Sequence, residues 1–350
     1  MLLVASKLGI SSFGGPAAHI GYFRREYVER RRWLDERTFA ELVAICQFLP
    51  GPASSELGIA IGLLRAGPLG AVAAWLGFTF PSFVLLVAFA ILFDRLPFEA
   101  GWVFPILELV ALVVVARAVW SLARALAPDL PRRLIALAAA AAVLAAPHPA
   151  VQVGVIAVAA IVGWRALPAV GAPLLVSTSV PIGRGVATAC LLLYVGLLVL
   201  LPLARAALPD SGLALADPFY RAGSLVFGGG HVVLPLLRAE IPATVVSDQR
   251  FVAGYGAAQL VPGPLFTFAA YLGAVIVDGD PLTAIGAALV ATLAIFLPAF
   301  LLVFAALPSW GALRAYPSAQ SALRGVNAAV VGLLLAALVN IVRAIASALI

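Results

Sequence analysis

"QFLPGP" at residues 47–52 and "QLVPGP" at residues 259–264 interrupt two of the most apolar stretches of the chain in the same way. Proline removes a backbone N–H and clashes with the preceding turn, so a helix ends at each motif. Inside a membrane the freed backbone groups are costly, and such breaks persist only where they face protein or water. The two motifs therefore predict a pair of broken helices that line a cavity.

The composition places both motifs in a membrane protein. Of the 350 residues, 63% are hydrophobic and 11% are charged, and the mean hydropathy is +1.10. Many apolar runs are long enough to span a bilayer as helices, and they are continuous, unlike the alternating strands of a β-barrel. We therefore expect an all-α polytopic membrane protein with about 10–11 transmembrane segments.

The PGP motifs belong to a longer internal duplication. Three further pairs of segments match in the same order along the chain, namely "KLGISSFGG" (7–15) with "RAGSLVFGG" (221–229), "DERTFA" (35–40) with "DQRFVA" (248–253), and "FTFPSFVLLVAFA" (78–90) with "IFLPAFLLVFAA" (295–306). Such repeats are characteristic of transporters. The duplication divides the chain into an N-terminal transporter repeat (1–130), a hydrophobic connector with extra transmembrane segments (131–217) and a C-terminal transporter repeat (218–350).

The two repeats are predicted to be inverted relative to each other. An odd number of predicted spans separates their matching elements, which gives them opposite orientations. The loop at 23–37 carries six arginines, whereas its counterpart at 238–250 carries only Arg238 and Arg250. Because cytoplasmic loops are enriched in basic residues, we expect the first loop in the cytoplasm and the second outside.

Each PGP break restarts a half-helix, and the start of a helix favours anions. Its first N–H groups lack intrahelical partners and carry the positive end of the helix dipole. Ser54 and Ser55 follow the first break and Thr267 follows the second, which adds hydroxyl donors. Gln47 and Gln259 precede the breaks and add amide donors from the other side.

The "FGGP" (13–16) and "FGGG" (227–230) motifs form a second pair of breaks, because consecutive glycines let backbone amides turn toward a ligand. Close helix packing is the alternative for these glycines. The residues predicted to bind the anion are Gly14, Gly15, Gln47, Pro50, Gly51, Pro52, Ser54, Ser55, Gly228, Gly229, Gln259, Pro262, Gly263, Pro264 and Thr267.

Three ionisable residues beside the breaks are candidates for proton coupling or hydrogen-bond donation. His19 and His231 follow the glycine breaks, and Glu56 lies in the first turn after the first PGP. A carboxylate near an anion site requires protonation, pairing or proton coupling. The alternatives are structural histidines and a carboxylate stabilised by the helix dipole. In the second repeat Phe268 takes the place of Glu56.

Other function classes find no support in the sequence. HExxH, P-loop and GxSxG motifs are absent, and Cys46 and Cys190 have neither metal-ligand nor disulfide spacing. We therefore expect no enzymatic activity, no cofactor and no metal. The net charge of +6 is attributed to arginines that flank the spans and not to nucleic-acid binding.

Four segments resemble the chromate ion transporter (CHR) family in its two-domain long form. They read "SSFGGPAAHI" (11–20), "REYVERRRWLDERTF" (25–39), "CQFLPGPASSELGIAIG" (46–62) and "SLVFGGGHVVLPLL" (224–237), the last followed by "QLVPGP". The resemblance implies chromate efflux across the bacterial cytoplasmic (inner) membrane, chromate resistance, and sulfate as a similar anion. One departure leaves the substrate open, since this family usually has Asn-Ser-Thr after the first PGP and here Ala53, Ser54 and Ser55 follow it.

Together these observations favour a secondary transporter that exports a tetrahedral oxyanion, chromate above all. An inside-negative potential drives a dianion outward without further coupling. A proton- or sodium-coupled sulfate importer and an anion channel remain alternatives, whereas a membrane scaffold would not need paired breaks. The expected partners are the oxyanion and the lipid bilayer, with a homodimer left open.

Overall fold

The structure is a computed structural model that describes residues 1–13, 15–93, 116, 119–120, 123–124, 126–146, 149–168, 182–226, 230–277, 279–315 and 317–349. The described residues form helices and connecting loops, and no strand occurs among them. The helices are α1 (Leu2–Ser11), α2 (Gly15–Phe23), α3 (Glu36–Phe48), α4 (Ala53–Leu92), α5 (Leu130–Ala145), α6 (Pro149–Ala166), α7 (Arg184–Ala207), α8 (Gly212–Leu225), α9 (Gly230–Glu240), α10 (Asp248–Leu260), α11 (Phe268–Ile276), α12 (Pro281–Ala315) and α13 (Pro317–Leu349). A π-helical segment (Arg24–Arg30) and a 3-10 turn (Leu265–Thr267) complete the described elements.

Several of these helices are long and apolar enough to cross a bilayer. Within the described ranges four stretches qualify, namely Ala53–Leu92, Arg184–Ala207, Pro281–Pro308 and Gln320–Asn340. Along α7, Leu192 and Leu200 are 68% and 60% exposed, as lipid-facing side chains are. The prediction of an all-α polytopic membrane protein is thus confirmed, while the total number of spans stays a prediction.

The described chain packs as two compact units. Unit 1 comprises residues 1–108, 178–233 and 240–308, and unit 2 comprises residues 109–177, 234–239 and 309–350. Both PGP motifs lie in unit 1. The three-part division of the sequence into two repeats and a connector follows the duplication and not this packing, so it remains a proposal.

Helix α4 is two helices joined by a kink. Ala66 (φ −147°, ψ 24°) and Gly67 (φ 68°, ψ −163°) leave the helical region, so the chain forms a first half (53–65) and a second half (68–92). At 1.5 Å per residue the first half is about 20 Å long, too short to cross the roughly 30 Å hydrocarbon core. After the second PGP motif the 3-10 turn and α11 form a similarly short segment, and α12 follows it.

Glycines let the short segment after each PGP motif pack tightly on the long helix that follows it. A Cβ at Gly62 would lie 2.9 Å from the Cβ of Ala74 in the second half of α4. A Cβ at Gly273 of α11 would lie 2.7 Å from the Cβ of Ala291 in α12. Small residues permit such close helix contacts in membranes, where the packing of side chains holds helices together.

The helix that precedes each glycine break also packs on the long helix of the same repeat. In α1, a Cβ at Gly9 would lie 2.7 Å from the carbonyl oxygen of Gly77 and 2.8 Å from that of Phe78. In α8, a Cβ at Gly223 would collide with the carbonyl oxygen of Ile295 in α12. The two glycines are 214 positions apart, the same offset that relates the FGG motifs.

Unit 2 is built from α5, α6 and α13. Gly325 of α13 packs on Gly163 and Ala159 of α6, and Gly332 packs on Ala136 of α5. Small side chains at these contacts let the three helices approach one another closely.

We predict that the loops at 23–37 and 241–247 lie on opposite sides of the membrane. Arg25 and Val245 are exposed, so a cysteine placed at either position can react with a thiol reagent. With Cys46 and Cys190 replaced by serine, a membrane-impermeant maleimide applied to intact cells should label only one of the two new cysteines. The same labelling after permeabilisation is the control for reactivity. Labelling of both cysteines, or of neither, in intact cells would rule out inverted repeats.

We predict that Gly9→Ala destabilises the protein in detergent or nanodiscs. The added methyl group meets backbone carbonyls, which cannot move as a flexible side chain can, so we expect a loss of about 1–3 kcal/mol. Gly196→Ala on α7 is the matched control, because nothing among the described residues lies within 4 Å of its Cβ position. A thermal unfolding scan compares the two variants. Equal melting temperatures would show that the α1–α4 contact is not tight.

Candidate anion-binding site

The first PGP motif forms a tight, buried loop between α3 and α4. Leu49 is extended, and Gly51 has a φ of 148°, which an L-residue rarely adopts. The carbonyl of Pro52 accepts the N–H groups of Ser55 at 2.7 Å and of Glu56 at 3.0 Å. The N–H groups of the preceding residues therefore open the helix without an intrahelical acceptor, as at any helix N-terminus.

The second PGP motif repeats this geometry between α10 and α11. Val261 is extended, and Gly263 has a φ of 106°. The carbonyl of Pro264 accepts the N–H of Thr267 at 3.0 Å and its hydroxyl at 2.5 Å. The hydroxyl of Ser82 also lies 2.9 Å from that of Thr267, so the side chain of Thr267 is fully engaged.

Each PGP loop is bonded to the residue in front of the glycine break of the other repeat. The N–H of Gly51 donates to the carbonyl of Val226 at 2.7 Å, and the N–H of Gly263 donates to the carbonyl of Ser12 at 2.9 Å. Residues 12 and 226 correspond in the duplication, as do residues 51 and 263. This crossed pair of hydrogen bonds brings both kinds of break from both repeats into one region of unit 1.

Polar side chains after the first PGP motif are buried, and not all of them are satisfied. The hydroxyl of Ser54 lies 3.2 Å from Nδ1 of His19, whose ring packs edge-on against Phe78 with centroids 5.2 Å apart. Within the described part of the chain, the hydroxyl of Ser55 and Nε2 of His19 have no hydrogen-bond partner. Among the described residues, the hydroxyl of Ser55 is thus a buried polar group that a ligand can satisfy, and His19 lies near the backbone of Ser12.

Glu56, in the first turn of α4, is a fully buried acidic residue beside this loop. It is 0% exposed, and the residues that the structure describes offer no hydrogen bond to either of its oxygens. Its carboxyl folds back onto the PGP loop, where a side chain at position 51 would run into it. Glycine at position 51 is thus required twice, by its positive φ and by the space that Glu56 occupies.

Several other predicted ligands lie further from this cluster or outside the described residues. Gln47 and Gln259 are exposed at the ends of α3 and α10, and the amide of Gln259 donates to the hydroxyl of Tyr255 at 2.7 Å. Gly15 begins α2 with a φ of 77°. Gly14, Gly228, Gly229 and the side chain of His231 lie outside the described residues.

The structure adds three hydroxyl residues that the sequence analysis did not single out. Ser12 and Thr79 are 0% and 3% exposed, and neither hydroxyl has a partner among the described residues. Ser82 donates to the carbonyl of Thr79 at 2.9 Å while it contacts Thr267. One sequence signal was available, because Thr79 and Ser82 flank Pro81 in an otherwise apolar span.

A buried ion-pair cluster was also missed. Nη2 of Arg221 lies 2.5 Å from both oxygens of Asp217, and its Nε lies 3.7 Å from Oε1 of Glu240. Arg205, at the end of α7, lies 3.3 Å from the same aspartate. Arg205 and Glu240 line a cavity of about 590 Å³. Since the cluster neutralises its own charges, it offers an anion no unpaired cation.

The arginines of the loop at 23–37 are engaged with acidic neighbours. Arg24 pairs with Glu29 at 2.7 Å and with Glu36 at 2.5 Å, and about half of its side chain is exposed. Burial raises the pKa of Glu26, but hydrogen bonds from Arg31 and Arg30 outweigh this effect and lower it. These contacts fit an ordered, positively charged loop. Arg24 is bonded to two glutamates of this loop and not to a residue of the PGP loops.

The described residues offer no metal centre. No group of three or more His, Cys, Asp or Glu side chains clusters with metal-binding geometry among them. What the two breaks gather instead is a set of neutral hydroxyl and backbone groups beside one buried acid. A many-helix membrane protein with buried polar groups at paired helix breaks has the architecture of a carrier.

Comparison with known proteins identifies the family. Residues 1–164 and 213–350 match the chromate transporter family, and the chain belongs to it. The chain is therefore a multi-pass membrane protein of a transporter family, and the resemblance seen in the sequence motifs is confirmed.

Relatives from three bacteria align with nearly the whole chain. The chromate transport protein of Pseudomonas aeruginosa is 29% identical over 96% of this chain and 79% of its own length. The probable chromate transport protein of Synechococcus elongatus is 28% identical over 96% and 82%. The chromate transport protein of Cupriavidus metallidurans is 24% identical over 96% and 80%. No solved structure matches the chain.

We predict that the double substitution Pro50→Ala and Pro52→Ala abolishes transport while the protein still folds. Without the prolines the chain can continue α3 into α4 as one helix, which removes the free helix start. Pro202→Ala in α7 is the control, since it removes a proline from a spanning helix outside the PGP loops. Anion uptake into proteoliposomes and thermal stability are measured together. Wild-type transport in the double variant would show that the break is not needed.

Proposed function

We propose that this chain is a secondary transporter that exports chromate across the bacterial cytoplasmic membrane and thereby gives chromate resistance. The family supports a transporter, and a relative that aligns with 96% of this chain carries the name chromate transport protein. The observation that carries the proposal is the buried start of α4, where the hydroxyl of Ser55 has no hydrogen-bond partner among the described residues and lies beside a PGP loop bonded to Val226.

The neutral hydrogen-bond donors at this site would bind an anion weakly enough for a transporter to release it. Hydrogen bonds from neutral donors are about half as strong as charge-assisted ones. A tetrahedral oxyanion can accept several such bonds from hydroxyl and backbone N–H groups at once. A site built on paired arginines would hold the anion more firmly, and Arg24 and Arg221 are already bonded to carboxylates.

The membrane potential supplies the direction. An inside-negative potential favours outward movement of negative charge by about 2.3 kcal/mol per charge per 100 mV. A dianion such as chromate therefore gains about 4.6 kcal/mol per 100 mV on leaving the cell. Export needs no ATPase, whereas import of the same ion would need cations to move with it.

We predict saturable chromate uptake into everted membrane vesicles that increases when the lumen is made positive. Ser55→Ala should raise the apparent Km about two- to tenfold, as expected for one lost neutral hydrogen bond of about 0.5–1.5 kcal/mol. Thr188→Ala on α7 is the control, because Thr188 is exposed and bonds only to the carbonyl of Arg184 in its own helix.

Three other outcomes would contradict this assignment. Uptake that rises linearly with concentration would indicate a channel. Uptake that does not respond to the potential and occurs only with an imposed proton or sodium gradient would indicate a coupled importer. Sulfate uptake without chromate uptake would change the substrate. An unchanged Km in Ser55→Ala would remove Ser55 from the site without affecting the transport assignment.

A further inference from the structure

We propose that Glu56 is a proton-binding residue and that the oxyanion binds only while its carboxyl is protonated, so that the anion and one proton occupy the protein together. This inference rests on the proposed oxyanion site at the PGP loops. It concerns the coupling of that site to protons, which neither the family nor the relatives assign.

The position of Glu56 singles it out from the other acidic residues. It is fully buried, its carboxyl lies against Gly51 inside the PGP loop, and both oxygens lack hydrogen-bond partners among the described residues. By contrast, the other two buried acids described, Glu26 and Asp217, are each paired with arginines. A buried acid without a partner is an exception that calls for a functional explanation.

The surroundings of Glu56 favour its neutral form. Among the described residues, Cys46 on α3 and Tyr194 on α7 are ionisable groups that interact with it electrostatically. His19 contacts the nearby Ser54 at 3.2 Å, and burial lowers the tendency of His19 to carry a charge as well. Cys46 and Tyr194 are uncharged near neutral pH, and the described residues place no cation in a salt bridge with Glu56. An ionised carboxylate with neither water nor a cation around it is strongly disfavoured inside a membrane protein.

Protonation and anion binding must then assist each other. An ionised Glu56 would repel a dianion held by the first turn of α4, whereas the protonated carboxyl removes this repulsion and adds an O–H donor. Because linkage is reciprocal, the bound anion in turn strengthens proton binding at Glu56. Anion affinity should therefore be high at low pH and should fall as the pH rises and Glu56 loses its proton.

The second repeat provides no matching proton site at this position. Phe268 takes the place of Glu56 there and is also 0% exposed. One carboxyl carries one proton, so a dianion that binds with it still brings a net charge of −1. The membrane potential continues to favour export of that pair, which agrees with the proposed direction.

The test measures chromate binding and proton uptake by the purified full-length protein in lipid nanodiscs. Wild-type affinity, measured from neutral to alkaline pH where chromate is itself largely a dianion, should weaken by up to about tenfold per pH unit, the limit for one linked proton. At alkaline pH, where Glu56 of the free protein has lost its proton, chromate added in weakly buffered solution with an indicator dye should cause proton uptake that approaches one per bound anion.

Two variants separate Glu56 from other acids. Glu56→Gln keeps the size of the side chain in its neutral form, so we expect it to bind chromate with no pH dependence and no proton uptake. Glu41→Gln on α3 removes another acid, whose Oε1 makes no hydrogen bond among the described residues but lies 3.7 Å from Nε of Arg37, and it should retain the wild-type behaviour. An unchanged pH dependence in Glu56→Gln overturns the proposal.

The outcomes also distinguish this inference from the proposed function. A wild-type protein that binds no chromate at any pH contradicts the oxyanion site itself. A wild-type protein whose chromate affinity does not change with pH, and that binds chromate at alkaline pH without proton uptake, contradicts only the role of Glu56. The wild-type measurement is decisive even if Glu56→Gln fails to fold.

Discussion

Backbone polar groups cannot be left unsatisfied in hydrocarbon, and this constraint governs how the chain is able to break its helices. Two crossed hydrogen bonds, from Gly51 to Val226 and from Gly263 to Ser12, satisfy this constraint. In each, a backbone group at one helix break is the hydrogen-bond partner of a backbone group at another. Each PGP loop supplies a donor, and the residue before the opposite glycine break supplies the acceptor. Each of the two hydrogen bonds therefore joins a segment near the N-terminus of the chain to a segment more than 170 residues further on.

Small residues let the helices around the breaks pack closely enough for these hydrogen bonds to form. Gly9 and Gly223 let α1 and α8 approach the long helices at backbone distance, and Gly62 and Gly273 do the same for the short half-helices. In lipid the helices gain little from hydrophobic burial, so close contact through small side chains has to hold them in place. These contacts fix where the breaks meet, so we expect substitutions at these glycines to affect the PGP loops.

Much of this was predictable from the sequence. Continuous apolar runs indicated a helical membrane protein, and the prolines with Gly51 and Gly263 marked where two of the helices break. The contacts that define the site were not predictable, because they join distant segments. Nothing local in the sequence shows that Gly51 bonds to Val226, that Ser54 faces His19, or that Thr267 is already bonded.

The two repeats differ most in the first turn after the PGP motif, where their roles diverge. The hydroxyl of Thr267 is satisfied by Pro264 and Ser82, and the next residue is the apolar Phe268. Among the described residues the hydroxyl of Ser55 has no hydrogen-bond partner, and the next residue is the buried Glu56. The second break is therefore locally complete, whereas the first has three side-chain oxygens to which the described part of the chain offers no partner. Since buried polar groups strongly favour having a partner, the first break is where a ligand gains most by binding, while the second serves as its fixed support.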